Sequence, residues 1–269
     1  MEISALNCVA MNLGIREHTV TGHVFTINGK VIEQSVYSMG GQFLNITECE
    51  KDLGVHIDNN LNFEKHIALT CAKANRIMAI INKTFDYMDE TMFKQLYKSL
   101  VRSQLEYAAV IWSPHNIHLK EQLENVQRRA TKRIPGFADL TYPERLRKLN
   151  MPTLAYRRTR GDMINMYKLH YGFYDKSLPD IFNPNERASQ GHDKKKRVKG
   201  SSKDVRKFNF SVRAISLWNS LPQSVVDSED VKSFEIALDK FWDDQVMKYD
   251  DFTKNINTIH NRRYAEYLT

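Results

Sequence analysis

The spacing of apolar residues between positions 63 and 134 is the feature that most limits what this chain can fold into. Apolar side chains recur there at steps of three and four in three runs, residues 63–85, 93–112 and 119–134. Such steps return to one face of an α-helix, so each run predicts an amphipathic helix. Asp89 is a candidate N-cap for the second run, and Ser113, followed by proline, is one for the third. Short joints between the three helices predict an antiparallel bundle.

The first 60 residues have the pattern of strands and turns instead. Segments 23–27 and 30–36 flank Asn28-Gly29, a dipeptide that favours a two-residue hairpin connection because both of its positions need positive φ. A further short strand is predicted at residues 53–57, where it is closed by the polar residues 58–60.

Further helices are predicted at residues 143–149, from Pro152 onward, and at 231–252, whereas residues 175–207 have the composition of a linker. The predicted fold class is therefore mainly α (α+β), with a short N-terminal β-hairpin region, an antiparallel helical bundle and further C-terminal helices. The expected divisions are a strand region at 1–60, the bundle at 61–135, a basic helical segment at 136–174, a basic flexible linker at 175–207 and a C-terminal helical segment at 208–269.

Length and composition exclude several classes of protein. The chain has 269 residues, of which 42% are hydrophobic, a globular balance rather than that of a disordered or fibrous chain. Its longest apolar run, residues 107–112, is too short to cross a bilayer, and no basic stretch precedes an apolar segment at the N-terminus. Three widely spaced cysteines form neither a metal pair nor a disulfide framework. We therefore expect an intracellular protein without a membrane partner.

The net charge of +7 is unevenly distributed along the chain. Residues 120–213 hold 23 lysines and arginines against 10 acidic residues, whereas the segments on either side are mildly acidic. A basic stretch of this kind favours a polyanion partner, most often nucleic acid, because neutralised phosphates release condensed counterions. A solvated surface without a partner is the alternative interpretation.

Three basic clusters within this stretch are the candidate contact residues. In the third helix, Arg128, Arg129 and Lys132 are predicted on the side opposite the apolar face, with Arg133 at its edge. The second cluster is Arg157, Arg158 and Arg160. The third is the run Lys194, Lys195, Lys196 and Arg197, which is expected to be exposed because like charges repel, and which suits a nuclear-import signal or a phosphate-binding tether.

The sequence contains no convincing catalytic or metal-binding motif. Phosphate-binding glycine loops, the G-x-S-x-G elbow and H-E-x-x-H are absent. Asp243-Asp244 and Asp250-Asp251 resemble the aspartate pairs of polymerases, but they lie in a segment of helical period without a third aspartate on an adjacent strand. His115 and His118 share a spacing that could bind a metal but lack further ligands. No catalytic residue, metal site or cofactor is therefore predicted.

An ordered series of short motifs nevertheless covers most of the chain. Together they resemble non-LTR (LINE, jockey-like) retrotransposon reverse transcriptases over residues 7–242. The motifs are Lys51-Asp52-Leu53-Gly54-Val55-His56-Ile57-Asp58, Leu61-Asn62-Phe63, His66-Ile67, Lys73-Ala74, Leu96-Tyr97, Leu100-Val101-Arg102-Ser103, Leu105-Glu106-Tyr107, Trp112-Ser113-Pro114, Leu123-Glu124-Asn125-Val126-Gln127-Arg128-Arg129-Ala130-Thr131-Lys132, Tyr142-Pro143-Glu144-Arg145-Leu146 and Leu217-Trp218-Asn219-Ser220-Leu221-Pro222.

The resemblance implies a location within such a polymerase. Residues 7–57 resemble the end of the palm, with Leu53-Gly54-Val55 near the primer grip, and residues 61–134 resemble the helical thumb that holds the template–primer duplex. In that family a Y/F-x-D-D box, which binds Mg²⁺ in the palm, precedes this region, so the resemblance implies that the box precedes residue 1 and is not part of this chain. Residues 36–49 are longer than the usual connection of the family.

The resemblance implies a reverse transcriptase fragment that does not polymerise alone, and the basic middle of the chain favours binding to RNA–DNA hybrid or other nucleic acid. A thumb grips any sequence, so its contacts should be to phosphates. Two alternatives stay open. The chain is either a subunit that completes a split polymerase with a separate palm and fingers portion, or a non-catalytic, degenerate helical interaction protein derived from a mobile element.

Overall fold

The computed structural model describes residues 45–174, 192–197, 209–243 and 248–250 in full, and the backbone of five strands that precede them. The chain divides into two compact units, Met1–His66 and Ile67–Thr269. The strands are β1 (Val9–Ala10), β2 (His23–Ile27), β3 (Lys30–Gln34), β4 (Ser38–Met39), β5 (Gln42–Phe43), β6 (Asn45–Ile46), β7 (Cys49–Asp52) and β8 (Val55–Asp58), all in the first unit.

These strands form four separate pairs. β1 pairs with β6 in parallel, whereas β2–β3, β4–β5 and β7–β8 are antiparallel. The predicted hairpin across residues 28 and 29 is confirmed, because Ile27 faces Lys30 in the β2–β3 register, although the connecting dipeptide lies outside the described residues. The second strand of this hairpin ends at Gln34 rather than at the predicted residue 36.

The predicted strand at residues 53–57 is wrong in its first two positions. Leu53 and Gly54 form the turn between β7 and β8, with Asp52 facing Val55, and their φ angles are +43° and +90°. Two consecutive positive φ values define the tight connection that suits the twist of paired strands. The sequence pattern does not reveal this turn, because leucine is an unusual residue at a left-handed position.

The rest of the described chain is mainly helical, which confirms the predicted fold class. The helices are α1 (Glu64–Thr84), α2 (Glu90–Leu96), a π-helical segment (Tyr97–Arg102), α3 (Ser103–Glu106), α4 (Ala109–Trp112), α5 (Ile117–Lys132), α6 (Tyr142–Leu149), α7 (Leu154–His170), α8 (Phe210–Asn219), α9 (Gln223–Val226) and α10 (Val231–Phe241).

The second predicted helix begins as expected and then breaks. The Asp89 carboxylate accepts the backbone N–H of Met92 at 2.7 Å, which caps α2. The following residues form the π-helical segment and α3, and the chain turns at Ala108, whose φ is +52°. One uninterrupted helix over residues 93–112 is therefore wrong, because a left-handed residue cannot continue a right-handed helix.

Three other helix ends differ from their predictions. α5 begins at Ile117 and not at Pro114, because Asn116 is the N-cap and accepts the N–H of His118 at 2.9 Å. α7 begins after Pro152, with the Thr153 hydroxyl accepting the N–H of Tyr156 at 3.1 Å. α10 ends at Phe241 rather than at residue 252. The predicted linker at 175–207 lies outside the described residues except for 192–197.

A large apolar core joins α7 to the three C-terminal helices. Its largest members are fully buried, and the aromatic rings of Tyr167 and Phe234 stack with centroids 4.5 Å apart. The buried members are Tyr156, Met163, Met166, Tyr167, Ala214, Ile215, Trp218, Leu221, Val225, Val226, Phe234, Leu238 and Trp242. Across the described part of the chain, no helix combines the length and apolar character that a bilayer crossing needs.

Candidate nucleic-acid interface

Helix α5 holds the first predicted basic cluster and is amphipathic. Leu119, Leu123, Val126 and Ala130 are buried along one face, with exposed fractions of 5% or less. Two contacts attach this helix to α1: the Cys71 thiol lies 3.7 Å from the carbonyl of Gln122, and further along both helices Arg129 reaches Asn75. The packing of the apolar face leaves part of the opposite face of α5, at its C-terminal end, exposed to solvent.

Three of the four predicted residues on α5 are exposed at its C-terminal end. Lys132 and Arg133 are exposed, and so is Arg129, whose guanidinium donates to Oδ1 of Asn75 at 3.3 Å and to the carbonyl of Asn125 at 3.2 Å. At about 100° per residue, these three side chains span about a quarter of the helix circumference. Three exposed positive charges therefore lie close together at this end of α5.

The predicted exposed position of Arg128 is wrong. The residue is half-buried, and its guanidinium donates to Oδ1 of Asn125 and lies over the Tyr142 ring, with the guanidinium carbon 5.2 Å from the ring centroid. Tyr142 belongs to α6, which packs on α5, so the neighbouring helix covers this part of the predicted polar face. The helical wheel of α5 alone does not contain that information.

The second predicted cluster is held by acidic residues that are distant in sequence. Arg157 makes a two-bond contact with Glu106, of which the bond from Nη2 to Oε2 is 2.9 Å. Arg160 makes a similar pair with Asp239, at 2.6 and 2.9 Å, and this hydrogen bonding raises its pKa. Glu106 and Asp239 thus neutralise the positive charges of Arg157 and Arg160, whose acidic partners are not nearby in the sequence.

Arg158 is buried, with 7% of its surface exposed. Burial lowers the pKa of Arg158, and the carboxylates of Glu124, Glu106 and Asp162 oppose that shift. The second cluster is therefore not a set of freely exposed cations, since Arg158 is buried and Arg157 and Arg160 pair with carboxylates of other helices. Counting charges along the chain overlooked this because each acidic partner lies tens of residues away.

The third predicted cluster packs against the folded helices instead of extending into solvent. The Lys194 ammonium donates to the Tyr171 hydroxyl at 2.8 Å and pairs with Asp227, and these hydrogen bonds raise its pKa. Asn219 of α8 exchanges two hydrogen bonds with the backbone of Lys196, at 2.9 and 2.8 Å. Lys195 and Lys196 are half-buried, and of the four residues only Arg197 is exposed. The expectation of an exposed run is wrong for Lys194, Lys195 and Lys196, because Asp227 pairs with Lys194 and Asn219 fixes the backbone at Lys196.

A buried polar network beneath α5 is absent from the sequence-based prediction. Gln127 accepts from the Tyr97 hydroxyl at 2.9 Å and donates to the Tyr142 hydroxyl at 3.0 Å. Tyr142 in turn donates to Glu124 at 2.5 Å, and burial raises the pKa of this carboxyl. The signal was present, because Glu124, Gln127 and Thr131 recur at helical steps beside the apolar face.

Neither aspartate pair forms a metal site among the described residues. Asp243 contacts the Lys248 ammonium at 2.5 Å, and Asp250 pairs with Arg147 at 2.9 Å. Asp244 and Asp251 lie outside the described residues, and His115 and His118 are exposed. No group of three or more potential metal ligands occurs within the described parts of the chain.

Comparison with known proteins gives one distant relative to report. An uncharacterized protein of Caenorhabditis elegans is 23% identical to this chain over 133 residues, which are 48% of this chain and 66% of that protein. No family model matches the chain. No solved structure matches it either.

Proposed function

We propose that this chain is a fragment of a retrotransposon RNA-directed DNA polymerase (reverse transcriptase) that binds the sugar–phosphate backbone of RNA–DNA hybrid or other nucleic acid. The observation that carries the proposal is the exposed position of Arg129, Lys132 and Arg133 together at one end of α5. We call these three residues the α5 basic surface. The ordered motif series that resembles non-LTR reverse transcriptases is the second support.

The α5 basic surface suits phosphates better than base edges. Long cationic side chains on a convex helix end can follow a backbone without entering a groove, so binding should be weak, sequence-independent and sensitive to salt. The rigid attachment of α5 through Glu124 and Gln127 supports this role, because a firm helix holds its charges in place. Arg158 and Arg160 are not part of the proposed surface, since carboxylates of the same chain surround them.

We propose no polymerisation by this chain alone. In the family it resembles, the catalytic Mg²⁺ is bound by palm aspartates, and the described residues hold no equivalent cluster. Pairing with a separate palm and fingers portion is the split-polymerase alternative. Primer extension after mixing the chain with such a portion would favour that alternative.

Fluorescence anisotropy with a labelled RNA–DNA hybrid, measured over a salt series, tests the proposal. The variant carries R129Q, K132Q and R133Q, and a matched control carries K65Q, K232Q and K240Q, which remove three exposed lysines elsewhere. Each lost phosphate contact should reduce the slope of log K against log salt by about 0.9. The α5 variant should therefore lose about two to three units of slope, and the control should match the wild type.

Binding that both variants weaken equally would contradict a specific role for α5. No binding by a folded chain would leave the resemblance as a record of ancestry.

A non-catalytic helical interaction protein is the second candidate, and exposed apolar side chains on α1 favour it. Leu69 and Ile80 are 46% and 60% exposed, on the side of α1 away from its buried residues. Analytical ultracentrifugation of L69S and I80S variants tests this candidate. Self-association that both substitutions abolish would support it, whereas a monomer at all concentrations would not.

A further inference from the structure

Two guanidinium groups share one carboxylate where the π-helical segment meets α7. Arg157 of α7 makes its two-bond contact with Glu106 of α3, and Nε of Arg102, in the π-helical segment, lies 3.8 Å from Oε2 of the same carboxylate. The three side chains are 29%, 23% and 16% exposed for Arg157, Glu106 and Arg102. The group is thus partly withdrawn from water but open on one side.

Two further cations lie on the same helical side as Arg102. Lys94 and Lys98 precede it by eight and four residues, and i, i+4 neighbours on a helix stand about 5–6 Å apart. Burial lowers the pKa of Lys98, and the charges of Arg102, Lys94 and Arg157 lower it further, which agrees with the helical spacing in placing Lys98 near these cations. Among the residues that the structure describes, no carboxylate pairs with either lysine.

The charges of this group do not balance. Lys94, Lys98, Arg102 and Arg157 contribute four positive charges, and Glu106 contributes one negative charge. Arginine stays protonated in proteins, so the repulsion cannot be relieved there by loss of a proton. In a partly desolvated site this repulsion is stronger than in water, and an anion of charge −1 to −2 would relieve it.

The shape of the group selects among anions. Arg102 and Arg157 present planar N–H forks, which match the oxygens of phosphate, and the Lys98 ammonium adds a point charge beside them. Glu106 takes up Nε and Nη2 of Arg157 and lies 3.8 Å from Nε of Arg102, so other N–H groups of both guanidiniums make no hydrogen bond to this carboxylate. The π-helical segment supplies this arrangement, and such segments are rare in proteins and frequent at functional sites.

We propose that Lys98, Arg102 and Arg157 form a phosphate-binding site that is separate from the α5 basic surface. The ligand is a phosphate group, carried either by a small molecule such as pyrophosphate or by a strand of nucleic acid. Lys94 extends the row to about 12 Å along the helix, a length that three to four nucleotides of one strand cover. The site does not depend on the function proposed for α5.

Isothermal titration calorimetry of the full chain with inorganic phosphate and pyrophosphate tests the site, together with anisotropy of a labelled 12-nucleotide single strand. The variants are K98Q, which changes an exposed residue, and R102Q, and the matched control is K232Q on α10. Loss of one charged contact should weaken binding about tenfold in K98Q and R102Q and leave the control unchanged. E106Q should tighten phosphate binding, because it removes the only acid of the group.

The arms of this experiment separate the two ligand sources. Saturable binding of phosphate or pyrophosphate that K98Q and R102Q weaken supports a small-molecule site. Oligonucleotide binding that the same variants weaken, without phosphate binding, supports a backbone contact. Binding of none of the three ligands, or binding that neither variant alters, overturns the proposal. If the α5 variant left the salt dependence of hybrid binding unchanged while K98Q and R102Q weakened phosphate binding, the proposed function would be contradicted and this site would stand.

Discussion

The buried carboxylate of Glu124 accepts the backbone N–H of Leu154, which lies 3.2 Å from Oε1 and 3.1 Å from Oε2. Glu124 belongs to α5, and Leu154 is the first residue of α7. A carboxylate at this point satisfies an N–H that has no partner within its own helix and faces the positive end of the helix dipole. Glu124 of α5 and the N-cap Thr153 thus together fix where α7 begins.

Replacing Glu124 should destabilise the protein strongly. E124A leaves the Leu154 N–H and the Tyr142 hydroxyl without their acceptor and removes a counter-charge of the buried Arg158, so we expect a loss of about 3–5 kcal/mol in the free energy of unfolding. E124Q keeps an acceptor and the shape, so it should lose about half as much. Urea unfolding followed by tryptophan fluorescence measures both. Equal losses would show that the charge alone matters here, and that the acceptor and the shape kept by glutamine contribute nothing.

Asp162 and Arg213 should be strongly coupled. The Arg213 guanidinium donates two hydrogen bonds to Asp162, at 2.8 and 3.0 Å, and a third to the carbonyl of Val110 at 2.7 Å. Because this pair joins α7 to α8 with little exposure, D162A and R213A should each cost about 3–5 kcal/mol. The double variant should lose about 2–3 kcal/mol less than the sum.

The pair Lys148–Glu90 is the matched control for that double-mutant cycle. Its ammonium and carboxylate are 3.5 Å apart, with half and two-fifths of their side chains exposed. Exposed pairs of this kind couple by less than about 1 kcal/mol. A coupling at Asp162–Arg213 no larger than the control would contradict the importance assigned to burial.

Local signals in the sequence predicted the helical part of the fold well. The periodicity of α1 and the N-cap Asp89 act over a few residues, and the structure agrees with both. Two features differ from the prediction. The helix breaks at Ala108 because this residue is left-handed, and α5 starts at Ile117 because Asn116 caps it. In each case the local sequence allows two conformations of similar stability, and tertiary packing determines which one forms.

The candidate site was less predictable than the fold. Exposure of Lys132 and Arg133 follows from the amphipathic pattern of α5 itself. The environments of Arg157 and Arg160 depend on Glu106 and Asp239, which are 51 and 79 residues away in sequence. No pattern within one helix contains those partners, so the charge of a segment cannot reveal which of its cations remain available.

The β7–β8 turn offers a stabilising substitution. Leu53 has a φ of +43° and is 86% exposed, so its side chain gains little from burial while its backbone is strained. L53N should raise the free energy of unfolding by about 0.5–1 kcal/mol, because asparagine tolerates this conformation. Thermal unfolding compared with I46N, an exposed site in β6, checks the effect. A lower melting temperature for L53N than for the wild type would contradict the backbone strain assigned to Leu53.

His170 should make stability depend on pH in the acidic range. Burial lowers its pKa to about 4, and the charges of Lys196, Lys194 and His192 act in the same direction, against Asp193. In the unfolded chain the pKa is near 6.5, so above that value both states are neutral and the effect vanishes. As the pH falls from about 6.5 to about 4, the unfolded state gains a proton that the folded state does not, and stability is lost.

The variant H170Q isolates this effect from the other titrating groups. Because His170 is only half-buried, we expect the difference in unfolding free energy between wild type and variant to change by about 1–2 kcal/mol between pH 7 and pH 4, against the wild type at low pH. Urea unfolding followed at Trp218, whose ring centroid lies 5.7 Å from that of His170, measures the difference at each pH. A difference that stays constant over this range would contradict the lowered pKa, and a constant offset alone would report only the packing lost in the variant.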